Sequence, residues 1–200
     1  EVLKSKNITL EGKDHDEYIQ LIYKNSSNML ELVNDILDVA KIESGKFSIK
    51  KQEGNIKNVI SDRVEFYSIV AKDSSVLLQS SFSEDIPEKS MFDQEGIEHV
   101  LNNLISNAIK YTNEKGEVKV VTFLHKGGAK IEEEAKLAGY TSQNPFPSKI
   151  TGDEKNTCLV VMVSDNGIGI EEENLANIFT KFRQLDTKNA VAKKQKGTGL

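Results

Sequence analysis

Apolar residues near the start of the chain recur at alternating steps of three and four positions. The series, which contains one asparagine, is Tyr18, Ile22, Asn25, Met29, Leu32, Ile36 and Val39. This spacing predicts one long helix over residues 15–44, because it aligns the series along one seam. Other apolar residues widen the seam beyond what a two-stranded coiled coil needs: Leu21, Val33, Leu37 and Ala40. Such a helix is typical of a four-helix bundle, and a helix packed on a neighbouring domain is the alternative.

The pattern changes after residue 48 to a mixture of strands and helices. Runs or alternations of apolar and β-branched residues predict strands at 75–82, 117–124 and 157–164. Helices are predicted at 56–70, 93–111 and 172–182. A long connection, 127–156, contains a stretch of helix-forming composition at 129–138. The order of elements predicts an α+β fold, a two-layer α/β sandwich over residues 49–200, preceded by part of a helical hairpin over residues 1–48.

The composition is that of a globular chain, with 38% hydrophobic and 28% charged residues. No apolar run approaches the roughly 20 residues of a membrane span, and no signal-peptide pattern is present. We therefore expect this region to be cytoplasmic, with any membrane attachment through segments upstream of Glu1. The net charge of −5 disfavours nucleic acid as a partner but does not disfavour a nucleotide.

The chain has a single cysteine, Cys158. One cysteine excludes a disulfide within the chain, and it favours a reducing compartment. Because Cys158 lies in a predicted core strand, we expect its side chain to be buried.

The helix predicted at 93–111 carries a polar stripe. Asn103, Asn107 and Lys110 recur at i, i+4 and i+7, with Tyr111 at the edge of the stripe. A separate face is apolar, through Ile97, Leu101, Leu104, Ile105 and Ala108. Asparagine is a poor residue for a helix interior, whereas an amide oxygen suits Mg²⁺ and a lysine offers a point charge for phosphate. The stripe therefore suggests a metal and phosphate site, and an ordinary solvated helix face is the alternative.

A turn with two glycines follows the third predicted strand, in the stretch V-S-D-N-G-I-G-I at 163–170. Asp165 places a hydrogen-bond acceptor at the end of the strand. Gly167 and Gly169 allow backbone turns and the close approach of another group. Alone this pattern is weak, since it arises by chance in about one chain of this length in twenty.

Two more segments follow in order, I-F-T-K-F-R-Q at 178–184 and K-G-T-G-L at 196–200. With the asparagine helix and the glycine turn, they resemble the N box, first glycine box, F box and second glycine box of the ATP-binding domain of sensor histidine kinases. The helix ending in L-V-N-D-I-L-D-V-A-K-I-E-S-G-K resembles the second helix of that family's dimerisation domain. The resemblance covers nearly the whole chain except 127–156. It implies the sandwich of the histidine kinase, gyrase and heat-shock-chaperone ATPases.

The resemblance implies a site for ATP and Mg²⁺. Asp165 would receive the adenine amino group, and Asn107 would ligate Mg²⁺. Asn103 and Lys110 would hold the phosphates and, with Asn107, form the catalytic set. The remaining residues implied to bind nucleotide line the adenine pocket or belong to a mobile lid: Tyr111, Gly167, Gly169, Ile170, Phe182, Lys196, Gly197, Thr198, Gly199 and Leu200.

The resemblance also bears on the reaction. Asn103 stands where gyrase-type, chaperone-type and mismatch-repair ATPases carry a glutamate that activates water. An amide cannot act as a base, so transfer of the γ-phosphate to a histidine is favoured over hydrolysis. The implied partners are the receiver domain of a response regulator, which takes the phosphate on an aspartate, and a second copy bound through the helical bundle. A catalytically degenerate signalling module and a clamp-type ATPase are the alternatives.

The acceptor histidine is expected upstream of Glu1. His15 is followed by Asp16, but Gln20 stands where the acceptor motif has proline, and His15 opens the second bundle helix. His99 and His125 have no acidic residue directly after them. The chain also ends before the last helix and strands expected of the domain. We therefore expect that the chain by itself does not phosphorylate itself.

Overall fold

The computed structural model describes residues 13–141, 157–175 and 178. The described chain divides into two compact units, the first ending at Ser48 and the second beginning at Ile49. The first unit contains α1 (Lys13–Glu43), at the place where the sequence predicts a helix over residues 15–44. After α1 the backbone turns at Gly45, whose φ is +66°. A glycine in this left-handed conformation is a common helix stop.

The apolar seam of α1 is open to solvent. Ile22, Met29 and Ile36 are 49%, 68% and 49% exposed. A row of large apolar side chains with this exposure loses the stabilisation that burial would give, roughly 1.5–3 kcal/mol for each fully buried residue. Within the described part of the chain, nothing covers these three side chains.

The second unit is built on a three-stranded sheet in the order β2 (Leu77–Phe82), β4 (Glu117–His125) and β5 (Cys158–Asp165). The strand β4 runs parallel to β2 and antiparallel to β5. A separate antiparallel pair is formed by β1 (Gln52–Gly54) and β3 (Ser90–Phe92). The helices of the unit are α2 (Ile56–Asp73), α3 (Gln94–Tyr111), α4 (Ile131–Leu137) and α5 (Glu172–Leu175).

The main core lies between the sheet and the helices α2 and α3. Val118 and Val120 of β4 are fully buried, and they belong to one cluster with Ile60 of α2 and Ile105 of α3. Successive strand residues point to opposite faces, so Val118 and Val120 share the face covered by these helices. This packing fixes α3, and therefore its polar stripe, relative to the end of β5.

The connection between β4 and β5 covers the outer face of β4. Val121 and Phe123 form a second cluster with Ala135 of α4 and with Tyr140. The carboxylate of Glu134 holds the end of β4 with both oxygens: Oε2 lies 2.6 Å from Nδ1 of His125, and Oε1 accepts a 3.1 Å hydrogen bond from the backbone N–H of Lys126. The described part of this connection, residues 127–141, therefore adds a local third layer to the sandwich, within the stretch that the family resemblance does not cover.

One prediction about burial, that of Cys158, is wrong, and one residue of the predicted apolar face of α3 lies outside the core. Leu104, predicted on the apolar face of α3, is 46% exposed, and Ile109 is buried instead, at 4%. At about 100° per residue, Leu104 is a quarter turn from Ile105 whereas Ile109 is only about 40° away. Cys158 is exposed, because it is the first residue of β5 and pairs with His125 at the last residue of β4, where the sheet ends.

The short strands β1 and β3 were not predicted, because three residues are too few to show a period. Of the helix predicted at 172–182, the described part is α5, Glu172–Leu175. No helix among the described residues is long and apolar enough to span a membrane.

Candidate functional site

The last turns of α3 present the polar stripe away from the core. Asn103 and Asn107 are exposed, whereas Leu101 and Ile105 on the opposite side are buried. Neither asparagine side chain forms a hydrogen bond with a described residue. The Ser106 hydroxyl donates a 3.3 Å hydrogen bond to the backbone carbonyl of Asn103, not to its side chain. Within the described part of the chain, both amides are therefore available to a ligand.

The stripe ends in a positive charge held against an aromatic ring. Nζ of Lys110 lies 5.0 Å from the centroid of the Tyr111 ring, within the range of a cation–π interaction. Both residues are half-buried. They form the last turn of α3, where the helix dipole also favours a cation. This arrangement keeps an ammonium group at the end of the asparagine stripe.

The glycine turn after β5 lies against the end of α3. The backbone N–H of Ile168 donates a 3.0 Å hydrogen bond to the carbonyl oxygen of Tyr111. A Cβ at Gly167 would overlap that carbonyl, so only a residue without a side chain fits there. Gly169 has a φ of +67°, in the left-handed region that favours glycine. The close approach expected at Gly167 is therefore to the protein's own backbone.

Asp165 is the last residue of β5 and opposes Val118 of β4. Its Oδ1 accepts a 3.0 Å hydrogen bond from the backbone N–H of Gly167, which closes a tight turn around the carboxylate. Its Oδ2 has no partner among the described residues. The side chain is half-buried. One oxygen is thus used to fix the carboxylate, and the other can accept a hydrogen bond from a ligand.

The structure brings Gly167 and Ile168, in the turn that follows Asp165, directly against Tyr111. It places Asn103, Asn107 and Lys110 on the same helix as Tyr111. Ile170 is exposed just beyond the turn. The other predicted binding residues lie outside the described residues: Phe182, Lys196, Gly197, Thr198, Gly199 and Leu200.

Sequence reasoning assigned nothing to Asn166, which contacts the start of β4. Its Oδ1 accepts a 2.7 Å hydrogen bond from the backbone N–H of Glu117. Asn before Gly is a turn signal, which marks the position. No local pattern marks the partner, because 49 positions separate the two residues.

The donors of the site fit a nucleotide with Mg²⁺. Among the described residues, no group of three or more histidine, cysteine or acidic side chains could hold a metal. A metal at the stripe would therefore have few protein ligands, such as the amide oxygen of Asn107. Mg²⁺ is bound in this way, with water and phosphate oxygens completing its octahedron. The free oxygen of Asp165 suits an amino group, and Lys110 suits a phosphate.

The family whose model matches residues 92–200 is described as histidine kinase-, DNA gyrase B- and HSP90-like ATPase. The match covers more than half of the 200 residues and includes every predicted site residue. The chain therefore belongs to this family of ATPases.

Curated relatives match over nearly the whole chain. The non-motile and phage-resistance protein of Caulobacter vibrioides is 32% identical over 92% of this chain and 18% of that protein. The signal transduction histidine-protein kinase BarA of Escherichia coli is 24% identical over 92% of this chain and 17% of that protein. The chain thus spans less than a fifth of the length of these relatives. A solved structure, the catalytic domain of histidine kinase ThkA, is 19% identical and has a TM-score of 0.47 over 72% of this chain and 76% of that chain.

The family match and the curated relatives confirm the resemblance to the catalytic ATP-binding domain of a sensor histidine kinase. The family match likewise confirms the α+β sandwich of the histidine kinase, gyrase and chaperone ATPases as the fold.

Proposed function

We propose that this chain is the catalytic region of a sensor histidine kinase, which binds Mg²⁺-ATP and transfers the γ-phosphate to a histidine on an upstream helix. The phosphate then passes to an aspartate in the receiver domain of a response regulator. The observation that carries the proposal is the hydrogen bond from Ile168 to Tyr111, since it joins the turn that holds Asp165 to the helix that holds Asn107 and Lys110.

The described residues divide the nucleotide between two elements. Asp165, at the end of β5, accepts a hydrogen bond from the adenine amino group through Oδ2. Lys110 and Asn103 on α3 hold phosphate oxygens, and Asn107 holds Mg²⁺, which offsets the phosphate charge when it is bound. Tyr111, Gly167, Gly169 and Ile170 line the adenine side. Gly197, Thr198 and Gly199 are proposed to close over the phosphates, and Phe182 to anchor the hinge of the lid. Lys196 and Leu200, on either side of these glycines, are proposed to bind the nucleotide as well.

Transfer to a histidine is favoured over hydrolysis because α3 carries no carboxylate near the stripe that could activate water. Its acidic residues are Glu95 and Glu98, and Glu98 accepts a 2.8 Å hydrogen bond from Gln94. Since a helix rises 1.5 Å per residue, Glu98 lies about 13 Å along the axis from Asn107. Asn103, one turn before Asn107, carries an amide and cannot take a proton from water. A clamp-type ATPase would need a base from elsewhere.

The positions of His125 and His99 support a phosphate-accepting histidine outside the described residues. His125 is 2% exposed and bound to Glu134, so it cannot reach a nucleotide on α3 without opening the α4 layer. His99 lies on α3 itself, two turns before Asn107, and cannot move relative to the metal position.

We propose that residues 1–48 belong to a dimerisation hairpin and residues 49–200 to the catalytic domain. The exposed seam of α1, with Ile22, Met29 and Ile36, supports pairing with a second copy in a helical bundle. This region would lie in the cytoplasm, and any membrane attachment would come through upstream segments.

The test uses the full-length protein that contains this chain and ATP labelled at the γ position. Acid-labile label on an upstream histidine, followed by its transfer to a receiver domain, supports the proposal. Steady release of phosphate without protein label would favour a clamp-type ATPase. ATP-independent dimers with neither label nor release would favour a degenerate signalling module. The matched control is Asn107→Asp in the same protein, which should remove the label.

A further inference from the structure

Asn166 attaches the glycine turn to the start of β4. Its Oδ1 accepts a hydrogen bond from the backbone N–H of Glu117 at 2.7 Å, and its own backbone N–H donates to the carbonyl oxygen of Glu117 at 3.2 Å. Both backbone polar groups of Glu117 are therefore paired with one residue. Regular pairing of β4 with β5 ends one step earlier, at Val118 opposite Asp165.

The turn between Asp165 and Gly169 is thus fastened at two points to two different elements. Asn166 binds β4 through Glu117, and Ile168 binds α3 through the carbonyl of Tyr111. Asp165 directly precedes the first of these points, and its Oδ1 is held by Gly167 between them. The hydrogen bonds of Asn166 and Ile168 fix the backbone at Gly167, and Gly167 in turn holds Oδ1 of Asp165. The orientation of the carboxylate, and so the direction of Oδ2, therefore depends on these two hydrogen bonds.

The hydrogen bond between the Asn166 side chain and Glu117 contributes more to the position of the turn than to the stability of the sheet. Eight register pairs join β4 and β5, from Val118–Asp165 to His125–Cys158. One more side-chain hydrogen bond at the exposed end of such a ladder adds little to the pairing of the strands. The same bond is the only one from a side chain of the turn to β4 among the described residues.

We propose that Asn166 is a positioning residue for recognition of the nucleotide base, and that it acts by fixing the orientation of Asp165. The inference rests on the proposed function, in which Asp165 accepts the adenine amino group. Asn166 itself need not touch the nucleotide. Its required property is an acceptor oxygen at the position of Oδ1, which aspartate retains and alanine lacks.

The test measures the preference for ATP over GTP, as the ratio of the two dissociation constants with Mg²⁺, by calorimetry. Asn166→Ala should lower this preference by about 2-fold to 13-fold, the range expected for one neutral hydrogen bond. Asn166→Asp should restore most of it. In the double variant Asn166→Ala with Asp165→Asn, the preference should be no lower than in Asp165→Asn alone, because both changes act on one contact.

A role in folding alone would give a different result. Asn166→Ala would then lower the melting temperature and leave the preference for ATP unchanged, or would fail to fold, and either outcome overturns the proposal. Failure of Asn166→Asp to restore the preference also overturns it. A wild-type protein with no preference for ATP would instead overturn the proposed function, and the role of Asn166 with it. Hydrogen exchange at the amide of Glu117 gives a check without nucleotide: it should be faster in Asn166→Ala and close to wild type in Asn166→Asp.

Discussion

The backbone N–H of Ile168 lies 3.0 Å from the carbonyl oxygen of Tyr111 and donates a hydrogen bond to it. Tyr111 is the last residue of α3, so this carbonyl has no partner in the helix itself. The bond therefore satisfies a free end of α3 and at the same time sets the distance between the glycine turn and the polar stripe. Substitutions that push the glycine turn away from α3 should therefore lower nucleotide affinity even where the protein remains folded.

Gly167→Ala tests this relationship. The new Cβ would overlap the carbonyl of Tyr111, so the turn must move away from α3. We expect a loss of about 1–3 kcal/mol in the free energy of unfolding, as for other overpacked positions, and a loss of ATP binding at temperatures where the variant remains folded. Thermal unfolding and calorimetry measure the two effects.

The control for Gly167→Ala is Gly45→Ala. Gly45 has a φ of +66°, and no atom lies within 4 Å of the place where a Cβ would stand, so alanine there brings backbone strain without a clash. It should cost roughly 1–2 kcal/mol and leave ATP affinity unchanged. Wild-type affinity in Gly167→Ala would contradict the assigned contact.

Asn107→Asp tests the metal position. It replaces a neutral amide oxygen by a charged carboxylate at the proposed Mg²⁺ ligand, which changes the charge balance with the phosphates. We expect a changed affinity for Mg²⁺-ATP and little change in melting temperature, since Asn107 is exposed and makes no hydrogen bond to a described residue. Ser106→Ala, at the neighbouring position, should bind as wild type. Equal affinities for wild type and Asn107→Asp would count against the stripe.

Asp165→Asn tests base recognition. The amide can present a donor where the adenine amino group needs an acceptor, so one buried hydrogen bond is lost. Such a loss costs roughly 1–3 kcal/mol, which corresponds to about a fivefold to 160-fold lower affinity for ATP. Affinity for GTP should fall less. A variant that keeps the wild-type preference for ATP would remove Asp165 from the site.

Asp93 makes the stability of α3 depend on pH. Its carboxylate accepts hydrogen bonds from the backbone N–H groups of Gly96, which has the larger effect, and Lys50. These bonds hold the pKa of Asp93 below the ordinary value of 3.8. A carboxyl whose folded pKa is lowered stabilises the fold above its unfolded pKa, and the contribution disappears as the pH falls through the folded pKa. Asp93→Asn should therefore be less stable than wild type at neutral pH, and the difference should shrink below about pH 3.8. Chemical unfolding over about pH 2–7 measures it, with the exposed Asp62→Asn of α2 as the control; a difference independent of pH would contradict the account.

The helices and strands with long periodic patterns were the most predictable elements of the molecule. The stripe of α3 follows from the spacing of Asn103 and Asn107, since a helix fixes which residues share a face. The turn at Asp165 was predictable for its type but not for its attachments, because its partners come from distant parts of the chain. The layer formed by α4 packs on β4 through Ala135 and Tyr140, and Glu134 binds the end of β4; no local pattern encodes these contacts with a strand earlier in the chain. Burial at the ends of elements was predicted poorly, and Cys158 illustrates why: a strand residue is buried only if a neighbouring element covers it.

The last prediction is that this chain, alone, does not label itself with the γ-phosphate of ATP. His125 is enclosed by the α4 layer, and His99 is fixed on the helix proposed to hold the metal, so neither can align with the γ-phosphorus. His15 begins the wrong helix of the hairpin. A separate protein that carries the first bundle helix should accept the label if the chain binds Mg²⁺-ATP. The measurement is incubation with γ-labelled ATP, acid treatment, which removes phosphate from histidine, and mass spectrometry of labelled peptides. Acid-labile phosphate on His15 of the isolated chain would overturn the assignment of the acceptor, because it would place the reactive histidine on α1.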